Sequence, residues 1–264
     1  MGEIDFFVHE NGVRWAFFPA LRAKGLCHGI STREGGQSVN DLATLNLGLK
    51  VNDSEENIKF NRRKFCEAVG MDYQRVVASG QVHGDHVAIV DEKQAGQRLA
   101  DTDGLVTRTP NLPLMLFFAD CVPLLLYDPV RKIIGLSHAG WKGTFRSIGP
   151  RTLSVMQHAF GTDPEDCLMG IGPSIGPTDY EVDEPVMREI HTRWPDVESF
   201  AKSGRPGHWM LDLWAWNRQQ MLEAGVPDKN IFVSGVSTAQ HSDLFFSHRA
   251  SNGKAGRFGV LMSL

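Results

Sequence analysis

The chain has 264 residues, 42% hydrophobic and 22% charged, with a formal net charge of −4, which is the make-up of a globular protein able to bury a core without staples. No block of Lys or Arg appears, which excludes nucleic-acid binding through a basic face. The longest apolar run, 112–127, is broken by Asp120 and two prolines, so no membrane span of ~18 uncharged residues is present.

The opening stretch "MGEIDFFVHENGVRWAFF" has an early acidic pair and no basic leader, so it does not read as a signal peptide. Short runs of β-branched and aromatic residues predict strands near 14–18 and 26–31. A helix follows over 53–70, with Asp53 three residues before Glu56 in capping-box spacing and Gly70 as its stop. Strands are then predicted near 75–79, 85–90, 113–118, 122–127 and 132–137. Leu153, Met156 and Phe160 fall at helical spacing within 144–161, ahead of Gly161. After a strand near 167–171 come a helix at 183–194, with Pro185 in its first turn, and one at 212–225 between Asp212 and Gly225. Strands near 231–236 and 257–262 close the order.

Strands and helices do not alternate one for one, which disfavours a doubly wound parallel sheet and predicts an α+β fold of mixed sheets flanked by helices. No repeat or Pro/Ser linker divides the chain, so one domain over 1–264 is expected. Cys27, Cys66, Cys121 and Cys167 form no CxxC pair, and sparse cysteines in a chain this long read as reduced thiols in the cytoplasm. No partner macromolecule is implied, and nothing in the pattern sets an oligomeric state.

Three segments carry chemistry-bearing residues at breaks in apolar strands: "SGQVHGDHVAIV", "LPLMLFFADCVPLLLYDP" and "IIGLSHAGWKGT". They deliver His83, Cys121 and His138. Two imidazoles and a thiolate match three-ligand catalytic zinc, which leaves a fourth position open. The spacing is too wide for a zinc finger, and taken singly a histidine near a strand or a cysteine among Leu and Phe is more often structural. His86 competes with His83, but three positions apart on a strand the two face opposite ways. The glycine after His83 favours that residue.

Cations beside glycines form a second set: Arg33, Lys142, Arg249 and Arg257. A shared phosphate site is one reading of them and solvated surface charge is the other. Asp120 and Glu181 are the acid/base candidates, Asp120 being equally suited to forming a turn.

Taken together, "HGISTREGG", "LNLG", "QVHGDHV", "DTDGLVT", "ADCVPLLLYD", "SHAGWKGT", "GIGPSIGPTDYEV" and "DLFFSHR…GRFG" resemble the YfiH-like, or laccase-domain, purine nucleoside phosphorylase family across nearly the whole chain. The resemblance implies an α/β/β/α-like sandwich and a zinc site at His83, Cys121 and His138, with copper as the alternative metal. For such chemistry Cys121 and one carboxylate, Asp120 or Glu181, are the catalytic candidates, and Arg33, Asn46 (in "LNLG"), Lys142, Arg249 and Arg257 are the candidate substrate or phosphate contacts. The implied activity is phosphorolysis of adenosine, inosine, guanosine and methylthioadenosine, with adenosine deamination beside it. Ser237, Asp179 and His248 stand where relatives often carry Cys, Cys and Tyr, and none of the three touches the expected ligands.

The family's other name, polyphenol oxidase, is disfavoured by the residues: a multicopper oxidase needs many imidazoles, commonly as His-x-His, and the ten histidines here include no such pair. Two further readings stand. Cys121 and His138 would serve as nucleophile and base of a cytosolic hydrolase, including one that edits peptidoglycan precursors. A zinc-stabilised binding module is the non-enzymatic reading.

Overall fold

The computed structural model describes residues 3–264. Two large sheets lie face to face. The first runs Asp5–Val8, Arg14–Phe17, Cys27–Ser31, Phe258–Ser263, Leu114–Phe118, Val77–Gly80, Arg98–Ala100 from edge to edge. The second runs Ile231–Val233, Leu168–Ile171, Val122–Asp128, Ile133–Ala139, Gly104–Thr107, Val87–Ile89. Both mix parallel and antiparallel pairs: Val77–Gly80 runs parallel to Leu114–Phe118, while Val122–Asp128 and Ile133–Ala139 form an antiparallel hairpin. A small antiparallel sheet of Glu181–Asp183, His208–Leu211 and Ala201–Ser203 packs at one side.

The hydrophobic pattern explains the layering. Strands of the central hairpin are buried along their whole length, as continuous apolar runs covered on both faces must be. Leu116, Phe118, Phe258 and Val260 of the first sheet meet Leu105, Leu125, Tyr127 and Leu136 of the second in one core. The outer face of the second sheet is covered by helices α4 (Ile148–Phe160) and α6 (Leu213–Glu223), where Leu153, Met156, Trp216 and Met221 pack on Leu124, Leu126 and Met169. The outer face of the first sheet is covered by α2 (Glu55–Val69), through Phe65, Cys66 and Val69. Short helices α1 (Pro19–Ala23), α3 (Trp141–Phe145) and α5 (Glu184–His191) complete the set. The expected α+β sandwich is what the chain forms.

Every strand predicted from the sequence is present, though 85–90 shrinks to Val87–Ile89 and 231–236 to Ile231–Val233. The short strands Asp5–Val8, Arg98–Ala100 and Gly104–Thr107 and the small third sheet were not predicted, because three- and four-residue strands carry little periodicity. Two helix expectations change. Ser54, not Asp53, caps α2 by accepting the Asn57 N–H, and Asp53 instead receives Ser38 Oγ and Asn46 Nδ2. The segment 144–161 is two helices, broken where Ser147 takes a left-handed φ of 59°.

The topology brings three loops to one seam between the sheets. The chain crosses from the first sheet to the second between Gly80 and Val87, again between Ala100 and Gly104, and again between Phe118 and Val122. His83, Asp103, and the pair Asp120–Cys121 sit on these crossings.

Candidate metal centre and its cavity

His83, Cys121 and His138 come together at that seam, with one donor atom from each lying within 4.8 Å of the others. His138 is delivered by the strand Ile133–Ala139 and is 3% exposed. Cys121 is half-buried and His83 exposed, which leaves the group open on one side. The two imidazole rings meet edge to face, centroids 4.8 Å apart. Gly140 follows at the strand end, where an added Cβ would lie 2.8 Å from Cys121 Sγ; only a glycine lets the backbone pass so close.

Asp103 organises the group. Its carboxylate accepts His138 Nδ1 at 2.9 Å and three successive backbone N–H groups, those of Val82 (3.1 Å), His83 (3.0 Å) and Gly84 (2.8 Å). The first contact turns the other nitrogen of His138 toward Cys121. The other three hold His83 at a left-handed φ of 61°, a conformation costly for a residue with a Cβ. Arg146 Nη1 pins the same residue from its carbonyl side at 2.9 Å. Burial pushes the Asp103 carboxyl up, but the His138 bond and the backbone N–H groups outweigh it and bring it down to about 2. Burial likewise opposes a Cys121 thiolate, and the charges and hydrogen bonds of His138 and then His83 overcome it, so the thiol is lowered. His138 is raised in turn, burial opposing and Cys121 and Asp103 favouring its charged form. A soft anionic sulfur with two oriented imidazoles is a donor set that fits zinc, with a carboxylate behind one imidazole as such sites require.

The group opens into a cavity of about 730 Å³, within the range of small-molecule sites. Phe117, Trp141 and Tyr180 give it aromatic wall, and Arg249, Arg257 and His248 lie among its lining residues. Asp120 lines it too, but both carboxylate oxygens are engaged, one by Thr238 Oγ1 and one by the Arg249 N–H, each at 2.7 Å. Asp120 is therefore the turn-former, at a φ of 84°, and it fixes where Arg249 starts.

The other expected site residues lie elsewhere. Arg33 donates to the carbonyls of Ala43 and Ser242 in a separate hollow of about 260 Å³. Lys142 is exposed, with its ammonium 5.4 Å from the Trp141 ring centroid. Glu181 pairs with Arg205 at 2.9 Å and contributes only its carbonyl, to Arg249 Nη1. Asn46 is fully buried, and its amide binds Gly48, Asp53 and the Arg257 N–H, so it supports the cavity wall from behind. His86 turns to the carbonyl of Asp101; residues 81–86 form a loop, so the loop path and not strand alternation separates it from His83. The residues not singled out from the sequence are Asp103, Arg62, Arg98 and Lys50. A buried acid directly before the apolar run "GLVT", and an arginine one turn after Ile58 on the inward face of α2, were the available signals.

Residues 27–264 match the family model described as multi-copper polyphenol oxidoreductase laccase. The chain belongs to this laccase-domain, YfiH-like family. It is 35% identical over 241 residues to a protein of Bacillus subtilis named purine nucleoside phosphorylase YlmD, covering 89% of this chain and 87% of that one. A Deinococcus radiodurans protein named purine nucleoside phosphorylase is 36% identical over 248 residues, 93% of each. The crystal structure of YlmD from Geobacillus stearothermophilus superposes with a TM-score of 0.91 at 34% identity, covering 98% of both chains. Among the described residues no helix is long and apolar enough to cross a membrane.

Proposed function

We propose that this laccase-domain protein is a zinc-dependent purine nucleoside phosphorylase acting on adenosine, inosine, guanosine and methylthioadenosine. The observation that carries the reading is the open His83–Cys121–His138 group at the mouth of a cavity walled by aromatic rings and guanidinium groups; the printed names of the relatives support it. The cation would be held by His83, Cys121 and His138, and when bound it would supply Lewis acidity beside the reacting bond. Phe117, Trp141 and Tyr180 offer faces for the purine. Arg249 and Arg257 hold inorganic phosphate for attack on ribose C1′, as planar guanidinium forks suit phosphate oxygens. Arg33 and Lys142 take no part in that contact. The bond from C1′ to the base nitrogen breaks as the phosphate oxygen bonds to C1′, and the departing purine needs a proton. His248, an exposed imidazole on the cavity wall, is assigned to deliver it. Asp120 and the Glu181 carbonyl position Arg249 between them.

Chromatography of adenosine incubated with and without phosphate, beside a Cys121→Ala variant, tests this directly. Adenine released only with phosphate, and not by the variant, is the expected result. Inosine formed without phosphate would make water attack at adenine C6 the leading activity, as in zinc deaminases. Untouched adenosine would sink the nucleoside reading.

The Cys121–His138–Asp103 alignment favours one second reading. A lowered thiol, an imidazole and a buried carboxylate in series are also the parts of a thiol hydrolase, for which a cell-wall precursor is a candidate substrate. Rapid alkylation of Cys121 in metal-free, active protein would select that reading. Stoichiometric zinc lost on Cys121→Ala would reject it, and the same metal analysis distinguishes zinc from copper.

A further inference from the structure

The cavity carries more positive charge than phosphorolysis of a neutral nucleoside uses. Besides Arg249 and Arg257, its lining includes Lys50, Arg62 and Arg98, against Asp120 as the one carboxylate of the lining. The chain as a whole is acidic, at −4, so this concentration of cations is local. Among the described residues none of the five forms an ion pair with a carboxylate.

Arg62 is the informative member. It rises from the inward face of α2, donates Nε and Nη2 to the Leu47 carbonyl at 2.9 and 2.7 Å, and lies 4.2 Å from the Phe117 ring centroid. Among the described residues its third nitrogen has no hydrogen-bond partner. A guanidinium held in one place, largely buried and without a counter-charge, is costly to keep charged. Burial, and to a lesser degree the like charge of Arg98 on the same cavity wall, lower it to about 10 against Tyr73 and Cys66. Arg98 lies along Gly80, where a Cβ would come within 3.4 Å of its Nη2. Lys50 reaches the Gln81 carbonyl at 3.3 Å. The three therefore gather on the Gly80–Gln81 side of the opening. Arg257, by contrast, is lowered by burial, against the charges of Cys121 and Asp120 that face it on the side of the His83–Cys121–His138 group.

We propose that Lys50, Arg62 and Arg98 form a second anion subsite that takes a phosphate ester on the ribose, so that the preferred substrate class is the nucleoside monophosphate. This rests on the nucleoside reading above. Phosphate monoester and inorganic phosphate share their chemistry, but they occupy different places: the attacking phosphate must lie at C1′ beside the metal group, and the ester phosphate is carried away from C1′ on the sugar. Arg62 supplies a fixed fork, Arg98 and Lys50 supply mobile charge, and the Phe117 ring under Arg62 orients the fork. With AMP the balanced products are adenine and ribose 1,5-bisphosphate, the C1′–N9 bond breaking as a phosphate oxygen bonds to C1′.

Calorimetric titration of the zinc-loaded protein with AMP and with adenosine, each with and without saturating inorganic phosphate, tests the subsite. The expected result is AMP binding at least ~10-fold more tightly than adenosine, the advantage of charge-assisted hydrogen bonds. That ratio should survive inorganic phosphate and fall about tenfold or more in Lys50→Ala/Arg98→Ala, two exposed positions whose truncation spares the core. Equal affinity for the two ligands overturns the proposal. So does a preference erased by inorganic phosphate, which would make these cations the co-substrate's site, and so does a preference that persists in the double variant. Adenine release followed in parallel separates the two readings: a retained AMP preference with no adenine from either ligand sinks the phosphorylase reading and leaves the subsite standing.

Discussion

Asp103 is the residue on which both imidazoles of the metal group depend. Replaced by Asn, it either loses two backbone N–H partners or presents an N–H to His138 Nδ1, forcing the tautomer that places a proton on the nitrogen facing Cys121. Asp103→Asn is therefore expected to weaken zinc binding by ~10–100-fold, read by competition with a chromophoric chelator, while far-ultraviolet dichroism stays that of a folded protein. Unchanged affinity would assign Asp103 to the loop alone. Another buried residue sets an acid limit on stability. His28, 2% exposed, accepts the Phe18 N–H at Nε2 and lies 3.3 Å from the Leu26 carbonyl through Nδ1, a pattern only the neutral ring satisfies. Burial, against the Leu26 bond, lowers it from 6.5 to about 4. Between those values the unfolded chain binds a proton that the folded chain refuses, so stability falls as the pH is lowered through that window, by on the order of 3 kcal/mol. Urea midpoints across the window should slope accordingly, and more shallowly in His28→Gln. The meeting of His83, Cys121 and His138 was legible because glycine or proline marks each strand break and the motifs are specific. Asp103 was not, since no periodicity separates an acid that gathers N–H groups from an ordinary turn residue. Arg33 and Lys142 show the converse: flanking glycine signals a flexible corner without saying which way the side chain turns.

At the scale of elements, capping chemistry and burial decided what the pattern could convey. The helices α2, α5 and α6 begin at Ser54, Asp183 and Asp212, each accepting a backbone N–H from the first turn. Asp53 competed with Ser54 for the first of these because either residue suits the position. The break at Ser147 was invisible because "TFRSIGPRTL" keeps helical spacing of its apolar residues across it. That break matters to the site: it separates α3, which starts at the Gly140 corner, from the long α4 that braces the second sheet. Gly140 has φ −68°, open to any residue, so the cost of a methyl there is purely contact with Cys121 and with His83 Cδ2, the latter at 3.4 Å. Gly140→Ala is accordingly expected to bind less zinc per chain and to keep the thermal midpoint of the metal-free protein within a few degrees. A metal content equal to wild type would show that the ligands shift without penalty.

For the molecule as a whole, a mixed α+β fold followed from strands and helices that do not alternate one for one and the sandwich from the family resemblance, whereas strand order did not follow, because sheet neighbours such as Phe258–Ser263 and Cys27–Ser31 lie at opposite ends of the chain. A ligand that binds only the folded state adds to stability in proportion to the logarithm of its excess. With free zinc a thousandfold above its dissociation constant, that is about 4 kcal/mol, or on the order of 10 °C for a chain of this size. Chelation should lower the thermal midpoint by such an amount, and Cys121→Ala should abolish the difference between chelated and zinc-supplemented samples. The three crossings at Gly80–Val87, Ala100–Gly104 and Phe118–Val122 extend the point beyond the ion. Because the chain is sewn from layer to layer at one rim, neither sheet can peel away there without drawing the other, and amides on both sides of the rim are expected to exchange together as one cooperative unit. The rim that presents the ligands is thereby the part of the sandwich least free to breathe one layer at a time.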